Sequence, residues 1–218
     1  MIEIKNFKSR EEWLKARKSF IGGSDAACIM GESPWKTNLD LYREKIGTKE
    51  PVDLSNNELV QYGAEAEQYH RELFKLDYPD MKVEYSEHNM WLNTSYPWAH
   101  ASLDGWMYDK DGRLGVFECK TAMPQNAAQR KKWESDRFPD YYYWQILHYF
   151  LVTDAEFAIL RAQVKLPDKE YVCAWVKHYR IERSAEEYNM YRLLCAERDF
   201  AEHIRNKTEP ALKLPYLN

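Results

Sequence analysis

Long apolar runs are missing from this chain. Nothing in it approaches the roughly 20 consecutive apolar residues that cross a bilayer. Its start, Met1-Ile2-Glu3-Ile4-Lys5-Asn6, has neither an apolar segment nor a small-residue cleavage site, so no secretory signal is expected. Cysteines are few and scattered, at 28, 119, 173 and 195, with no CxxC pair. A chain of 218 residues has core enough to do without disulfides. The six histidines (70, 88, 100, 148, 178 and 203) never fall at a zinc-ligand spacing. A cytoplasmic protein without a thiolate or imidazole metal centre is therefore expected. Basic excess is missing too: 31 Lys and Arg against 35 Asp and Glu give a net charge of −4. That excludes a coat binding nucleic acid by bulk charge, and leaves room for a local basic groove. No internal repeat or low-complexity tract is present.

Aromatic residues are plentiful, 15% of the chain with 16 Tyr and 8 Trp, which points to many buried or stacked rings. Ser9 with Glu12 reads as a capping box opening a helix to about Phe20. After Gly22-Gly23, Ser24 or Asp25 caps a short helix over residues 26–30 that Gly31 stops. Thr37 opens another, ending at Gly47. Ser55 with Glu58 begins a long helix to about Leu76 with an apolar stripe through Leu59, Tyr62/Gly63, Ala66, Tyr69/His70 and Leu73/Phe74. Glu67 lies on that stripe, whereas Glu65 and Glu72 point away. Residues 82–121 read as strands, with a hairpin turn at Asp109-Lys110-Asp111-Gly112. The basic stretch 129–137 reads as an exposed loop or arm. A helix is predicted over 141–151, strands over 156–164 and 171–179, and a helix from about Ser184, with a capping box to Glu187, to about Lys207. This order implies a single α/β domain over 1–218, built on one mixed sheet flanked by helices.

Four charged groups converge in this reading. Glu67 faces inward, and Glu118 and Lys120, two apart on one strand, share a face with Leu114 and Val116. Asp104 falls opposite Phe117 if the hairpin tip is Lys110-Asp111, or opposite Cys119 if it is Asp111-Gly112; both place it beside Glu118. Acidic groups that cannot all be desolvated as bare anions call for a divalent cation. An oxygen-only set selects a hard ion, Mg²⁺ or Mn²⁺. An Asp-Gly pair before a hairpin, or a Glu-x-Lys on a strand, is commonly structural when alone. Together with an inward glutamate they form the PD-(D/E)XK nuclease pattern.

The wider sequence carries a family resemblance. Trp13 and Arg17, the run IGGSDAACIMG at 21–31, Ser33-Pro34-Trp35, and LYREKIG at 41–47 lead to Tyr62-Gly63 with Glu67. Then come Ser102-Leu103-Asp104-Gly105, Phe117-Glu118-Cys119-Lys120 and Tyr142 with Gln145. In this order, over roughly residues 10–155, the chain resembles the YqaJ-type viral recombinases, which belong with the lambda exonuclease family. The resemblance implies a restriction-endonuclease-like fold. It further implies a Mg²⁺-dependent 5′-to-3′ exonuclease (Mn²⁺ also serving), with two ions, that degrades one strand of linear duplex DNA to mononucleotides and leaves 3′ overhangs for single-strand annealing. By position, Asp104, Glu118, Glu67 and the Cys119 carbonyl match metal ligands. Lys120 matches the catalytic lysine, Gln145 the active-site glutamine, and Tyr142 a supporting tyrosine. Arg17 and Ser24, seven apart, match the residues that hold a 5′-phosphate, although Ser24 reads equally as a helix cap. Asp25, whose charge would repel a phosphate, is expected to face the backbone, the metal site or Arg17. A homotrimeric ring on DNA ends, a single-strand annealing partner and a phage or prophage origin in a bacterial cytoplasm are also implied. Alternatives are a repair or CRISPR-type PD-(D/E)XK endonuclease and a catalytically inactive DNA-binding module.

Overall fold

A computed structural model describes residues 1–134, 136–166 and 173–214, with the side chains of residues 173 and 174 excepted. The elements are β1 (Ile2–Asn6), α1 (Arg10–Lys18), α2 (Gly23–Met30), α3 (Asn38–Lys45), α4 (Glu58–Asp77), β2 (Val83–Glu84), β3 (Asn89–Asn93), β4 (His100–Ala101), β5 (Gly105–Tyr108) and β6 (Leu114–Ala122). They continue with α5 (Ala127–Glu134), α6 (Asp140–Thr153), β7 (Phe157–Lys165), β8 (Cys173–Glu182) and α7 (Glu187–Asn206). Five strands form a mixed sheet in the order β2-β5-β6-β7-β8, and β1-β3-β4 form a smaller antiparallel one. Only β6 and β7 run parallel. Parallel neighbours need a crossover, supplied here by α5 and α6.

Alternation along β6 divides the core. Val116 faces α6, within a cluster holding Ile146, Leu147, Phe150 and Leu160. Phe117 and Cys119 face α4, where Phe74, Met107, Phe157 and Ile159 fill the other side. Thus α6, buried throughout from Trp144 to Thr153, and α4 sandwich the sheet. A third cluster, Ile21, Cys28, Ile29, Leu41, Tyr42 and Phe200, joins α2 and α3 to α7. The expected mixed α/β fold with a helix-flanked central sheet is the one observed.

Several local expectations are corrected. The hairpin tip has three residues, Lys110-Asp111-Gly112, because Gly112 takes the left-handed region (φ 77°) and Asp109 pairs with Arg113 across it. That register sets Gly105 opposite Phe117, so Asp104 falls opposite Glu118, between the two alternatives. Asn57, not Ser55, caps α4, its Oδ1 accepting from the Leu59 and Val60 amides. Gly22 caps α2, and Asp25 reaches back from the third helical position to accept the Gly22 amide at 3.0 Å. Ser184 lies in a 3₁₀ turn over Arg183–Ala185, so α7 begins at Glu187 rather than 184 and carries no side-chain cap. The supposed basic arm is partly helix, α5, anchored by the buried Trp133. Strand β1 went unread because four of its five residues are exposed, leaving no alternation to detect. Tyr171 and Val172, at the start of a predicted strand, lie outside the described residues. On α4 only half of the stripe is covered: Ala66, His70 and Phe74 are buried, whereas Leu59, Tyr62, Tyr69 and Leu73 are exposed.

Candidate active site

Strand β6 presents Glu118 and Lys120 on the face that meets α6. Glu118 is 2% exposed, and its Oε1 accepts from Lys120 Nζ at 2.5 Å and from Gln145 Nε2 at 2.7 Å. Its other oxygen, Oε2, is buried and has no hydrogen-bond partner among the described residues. Gln145 also donates to the hydroxyl of Tyr149, one turn on along α6 (2.6 Å). On the neighbouring strand Asp104 accepts the Cys119 amide at 2.9 Å through Oδ2. Amide and carbonyl of one strand residue point to the same side, so the Cys119 carbonyl is directed toward Asp104 while its thiol lies in the opposite core.

Burial, reinforced by the charge of Asp104, pushes the Glu118 carboxyl up to about 8. Burial and Asp104 likewise raise Glu67 to about 7, against the pull of Arg71 and Lys120. Asp104 is raised by burial, although Lys120, the Cys119 amide and Arg71 oppose the shift. Lys120 is raised as well: burial disfavours its charge, but Glu118 and the other surrounding groups outweigh it and hold the ammonium well above its ordinary range. Three mutually repelling carboxyl groups with two cations, Lys120 and Arg71, beside them form a set short of positive charge. Among the described residues no three His, Cys, Asp or Glu side chains already surround one point. The donors nevertheless fit a hard divalent ion: all are oxygens, and the orphaned Glu118 Oε2 has a coordination site to give.

Glu67 is half-buried on α4, beside a cleft of about 450 Å³ that Arg71 and Tyr85 also line. Tyr142 lies over the Lys120 ammonium, 4.8 Å from Nζ to ring centre. Arg17 is held by a 3.2 Å bond from Nε to His100 Nε2 and stacks on Trp13 at 4.2 Å. Ser24 is exposed at the second position of α2. The two glycines before it serve close packing: a Cβ on Gly22 would stand 2.5 Å from the His100 ring, and one on Gly23 2.5 Å from Tyr149 and 3.1 Å from Gln145. The start of α2 therefore rests directly on the α6 residues that touch Glu118. Asp25 faces the Gly22 amide and Lys45, at 2.8 Å, rather than Arg17 or the carboxylates.

Three residues at this site escaped the sequence reading. Arg71 donates to the Asp104 carbonyl at 2.9 Å and packs 3.8 Å from the Tyr85 ring. Tyr149 supports Gln145, and His100 holds Arg17. The signal was helical spacing: Arg71 follows Glu67, and Tyr149 follows Gln145, by four residues.

Comparison with known proteins gives the class and then the family. The fold is that of an alkaline exonuclease, LHK-Exo, from Laribacter hongkongensis, matched with a TM-score of 0.68 at 17% identity over 91% of this chain and 94% of that one. The same protein has been solved in complex with dAMP. A phage-related exonuclease from Haemophilus somnus 129PT matches with a TM-score of 0.57 at 13% identity, covering 86% of this chain and 96% of that one. Residues 12–156 match the YqaJ-like viral recombinase domain, and the chain belongs to that family. Protein YqaJ of Bacillus subtilis (strain 168), itself uncharacterized, is 32% identical over 149 residues, 68% of this chain. The match spans only 44% of that relative's length.

Proposed function

We propose that this chain is a metal-dependent exonuclease acting on linear duplex DNA. The observation that carries the reading is the buried Glu118, bound on one oxygen by Lys120 and Gln145 and unpartnered on the other, beside Asp104. A structural ion pair would satisfy both oxygens; this one leaves an acceptor open beside the Asp104 carboxyl, which suits a cation between them. Bound Mg²⁺ or Mn²⁺, as two ions, would polarise the phosphodiester and supply a water of lowered pKa. Asp104, Glu118 and the Cys119 carbonyl would hold the first, with Glu67 beside the second. Lys120, kept cationic by Glu118, stabilises the charge that builds on the phosphoryl oxygens. Gln145 and Tyr142 hold Glu118 and Lys120 in place, and Arg71 fixes the backbone of Asp104.

The finer reading is degradation of one strand from a 5′ end to mononucleotides, leaving a 3′ single strand for a single-strand annealing protein in a phage-infected or lysogenic bacterial cytoplasm. Arg17, held by His100, and the exposed Ser24 in the first turn of α2 would take the 5′-phosphate; the seating of Gly23 on Tyr149 and Gln145, which brings that turn to the site, supports the placement. No helix among the described residues is long and apolar enough to cross a membrane.

One assay tests the core of this. Incubated with end-labelled linear duplex and a covalently closed circle, the chain should release mononucleotides from the linear DNA only when Mg²⁺ or Mn²⁺ is present. Cutting of the closed circle would instead identify an endonuclease, and digestion unaffected by chelation would remove the metal.

A further inference from the structure

Trp35 stands out as a large ring left in the open, 69% exposed. Its loop is nonetheless fixed. Gly31 closes α2 in the left-handed region (φ 81°), Ser33 Oγ accepts the Trp35 amide at 3.3 Å, and the next residue, Lys36, pairs with Glu44 at 2.6 Å. The indole is therefore presented at little cost in ordering on binding.

The ring is also connected to the site. It meets Tyr141 edge-on at 4.7 Å between ring centres and lies 6.5 Å from Tyr142, the ring over the Lys120 ammonium. Tyr141 and Tyr142 touch at 4.4 Å, and Tyr142 backs onto the buried Trp133 at 5.7 Å. A continuous run of rings thus leads from the core, past Lys120, to an indole in solvent. Bases along one strand are spaced by roughly 3.4 Å when stacked. With a scissile phosphate at Lys120, a base one to three nucleotides away falls within reach of Trp35.

We infer that the Trp35 indole is a stacking platform for a base at the DNA end being digested, an assignment that rests on the nuclease reading above. Every base has a π-face, so stacking grips any sequence alike, as an enzyme that removes nucleotides in succession requires. It also gives a chain of net charge −4 a source of grip that does not depend on bulk positive charge.

The test compares Trp35→Ala and Trp35→Tyr with the unaltered chain on linear duplex in Mg²⁺. Trp35→Ala should raise KM about tenfold with kcat little changed, and Trp35→Tyr should restore most of the loss. In a Lys120→Ala background, 2-aminopurine placed in turn at the first three positions of the duplex end should be quenched on binding at one position. Adding Trp35→Ala should abolish that quenching. Unchanged KM, or quenching that survives the substitution, overturns the inference. So does a change in the mass of the assembly without a change in quenching, which would make Trp35 a contact between copies. Absence of digestion by the unaltered chain sinks the nuclease reading itself, a result distinct from all of these.

Discussion

At the scale of single residues, Glu118 and Lys120 form a pair whose geometry costs stability rather than supplying it. A buried carboxylate with one oxygen left without a donor is costly unless a further group meets it. Lys120→Ala, Asp104→Ala and Glu118→Ala should each lower turnover by about two to three orders of magnitude while binding DNA nearly as the parent does. Gln145→Ala should cost less, since it removes only one of two groups holding Glu118 Oε1. Steady-state digestion, with circular dichroism to verify folding, checks this; near-normal turnover in Lys120→Ala would remove the lysine from the mechanism.

His100 offers a separate prediction. It is 2% exposed, accepts from Arg17 at Nε2, and directs Nδ1 at the Ile21 carbonyl at 3.1 Å, so the ring is neutral with its proton on Nδ1. Burial and the Arg17 charge push it down to about 3, and His70, buried and receiving a bond from Arg161, is lowered to about 4. The ordinary value is about 6.5. Between about 6.5 and these depressed values the unfolded chain binds protons that the folded chain refuses. Stability therefore falls as pH drops through that window, each histidine contributing up to about 1.4 kcal/mol per pH unit. Urea titrations from pH 7 to 4 should show a steeper loss for the parent than for His100→Gln. Equal slopes would mean that His100 titrates normally.

Among the elements, α2 matters most for the site, because its first turn lies on α6. Gly23→Ala places a methyl within 2.5 Å of Tyr149 and 3.1 Å of Gln145, both beside Glu118. Overpacking of this kind costs about 1–3 kcal/mol, and here it falls on the residue that orients Glu118, so activity should drop along with the melting temperature. Gly63, inside α4 with nothing within 4 Å of an added Cβ, makes the control. Gly63→Ala should stabilise by about 0.5–1 kcal/mol and leave digestion unchanged. Equal effects from the two substitutions would deny α2 its positioning role.

The legibility of the elements follows the same physics. Helices α2 and α3 could be placed because their glycine and threonine boundaries act locally, and the β5–β6 hairpin because an Asp-Gly turn joins two runs rich in aromatic and β-branched residues. The exact caps of α4 and α7 escaped, since Ser55 and Ser184 satisfy the capping pattern as well as the residues that begin those helices. Asp104, Glu118, Lys120 and Gln145 were legible as a spaced motif. Arg71 and His100 were not, because each acts through a contact distant in sequence, and a buried arginine on an apolar helix face looks in sequence like an interruption; Tyr149 is one turn from Gln145, but a tyrosine in so aromatic a helix reads as packing.

For the whole molecule, the exposed half of the α4 stripe is the feature that a lone chain does not explain. Leu59, Tyr62, Tyr69, Leu73 and Leu76 follow one another at steps of three, seven, four and three and are 54%, 40%, 62%, 49% and 77% exposed. A partly exposed apolar face of this kind suits burial against another surface, although Tyr62 already meets Gln163 and Lys165 within the chain. The occupant proposed is a second copy of the chain, within a homotrimer that encircles DNA. A closed ring keeps a chain of net charge −4 on its substrate by topology, which long residence by charge alone does not. Light scattering at micromolar concentration should give three times the chain mass. Leu73→Glu, alone or with Leu76→Glu, sets charge into the C-terminal half of the stripe and should shift the species to monomer. It touches none of the residues around Glu118, so short duplexes should still be hydrolysed, while long linear DNA should be released after few nucleotides. A parent chain that is monomeric yet processive, or a Leu73→Glu chain that stays assembled, would place the contact elsewhere and leave the α4 stripe without its proposed partner.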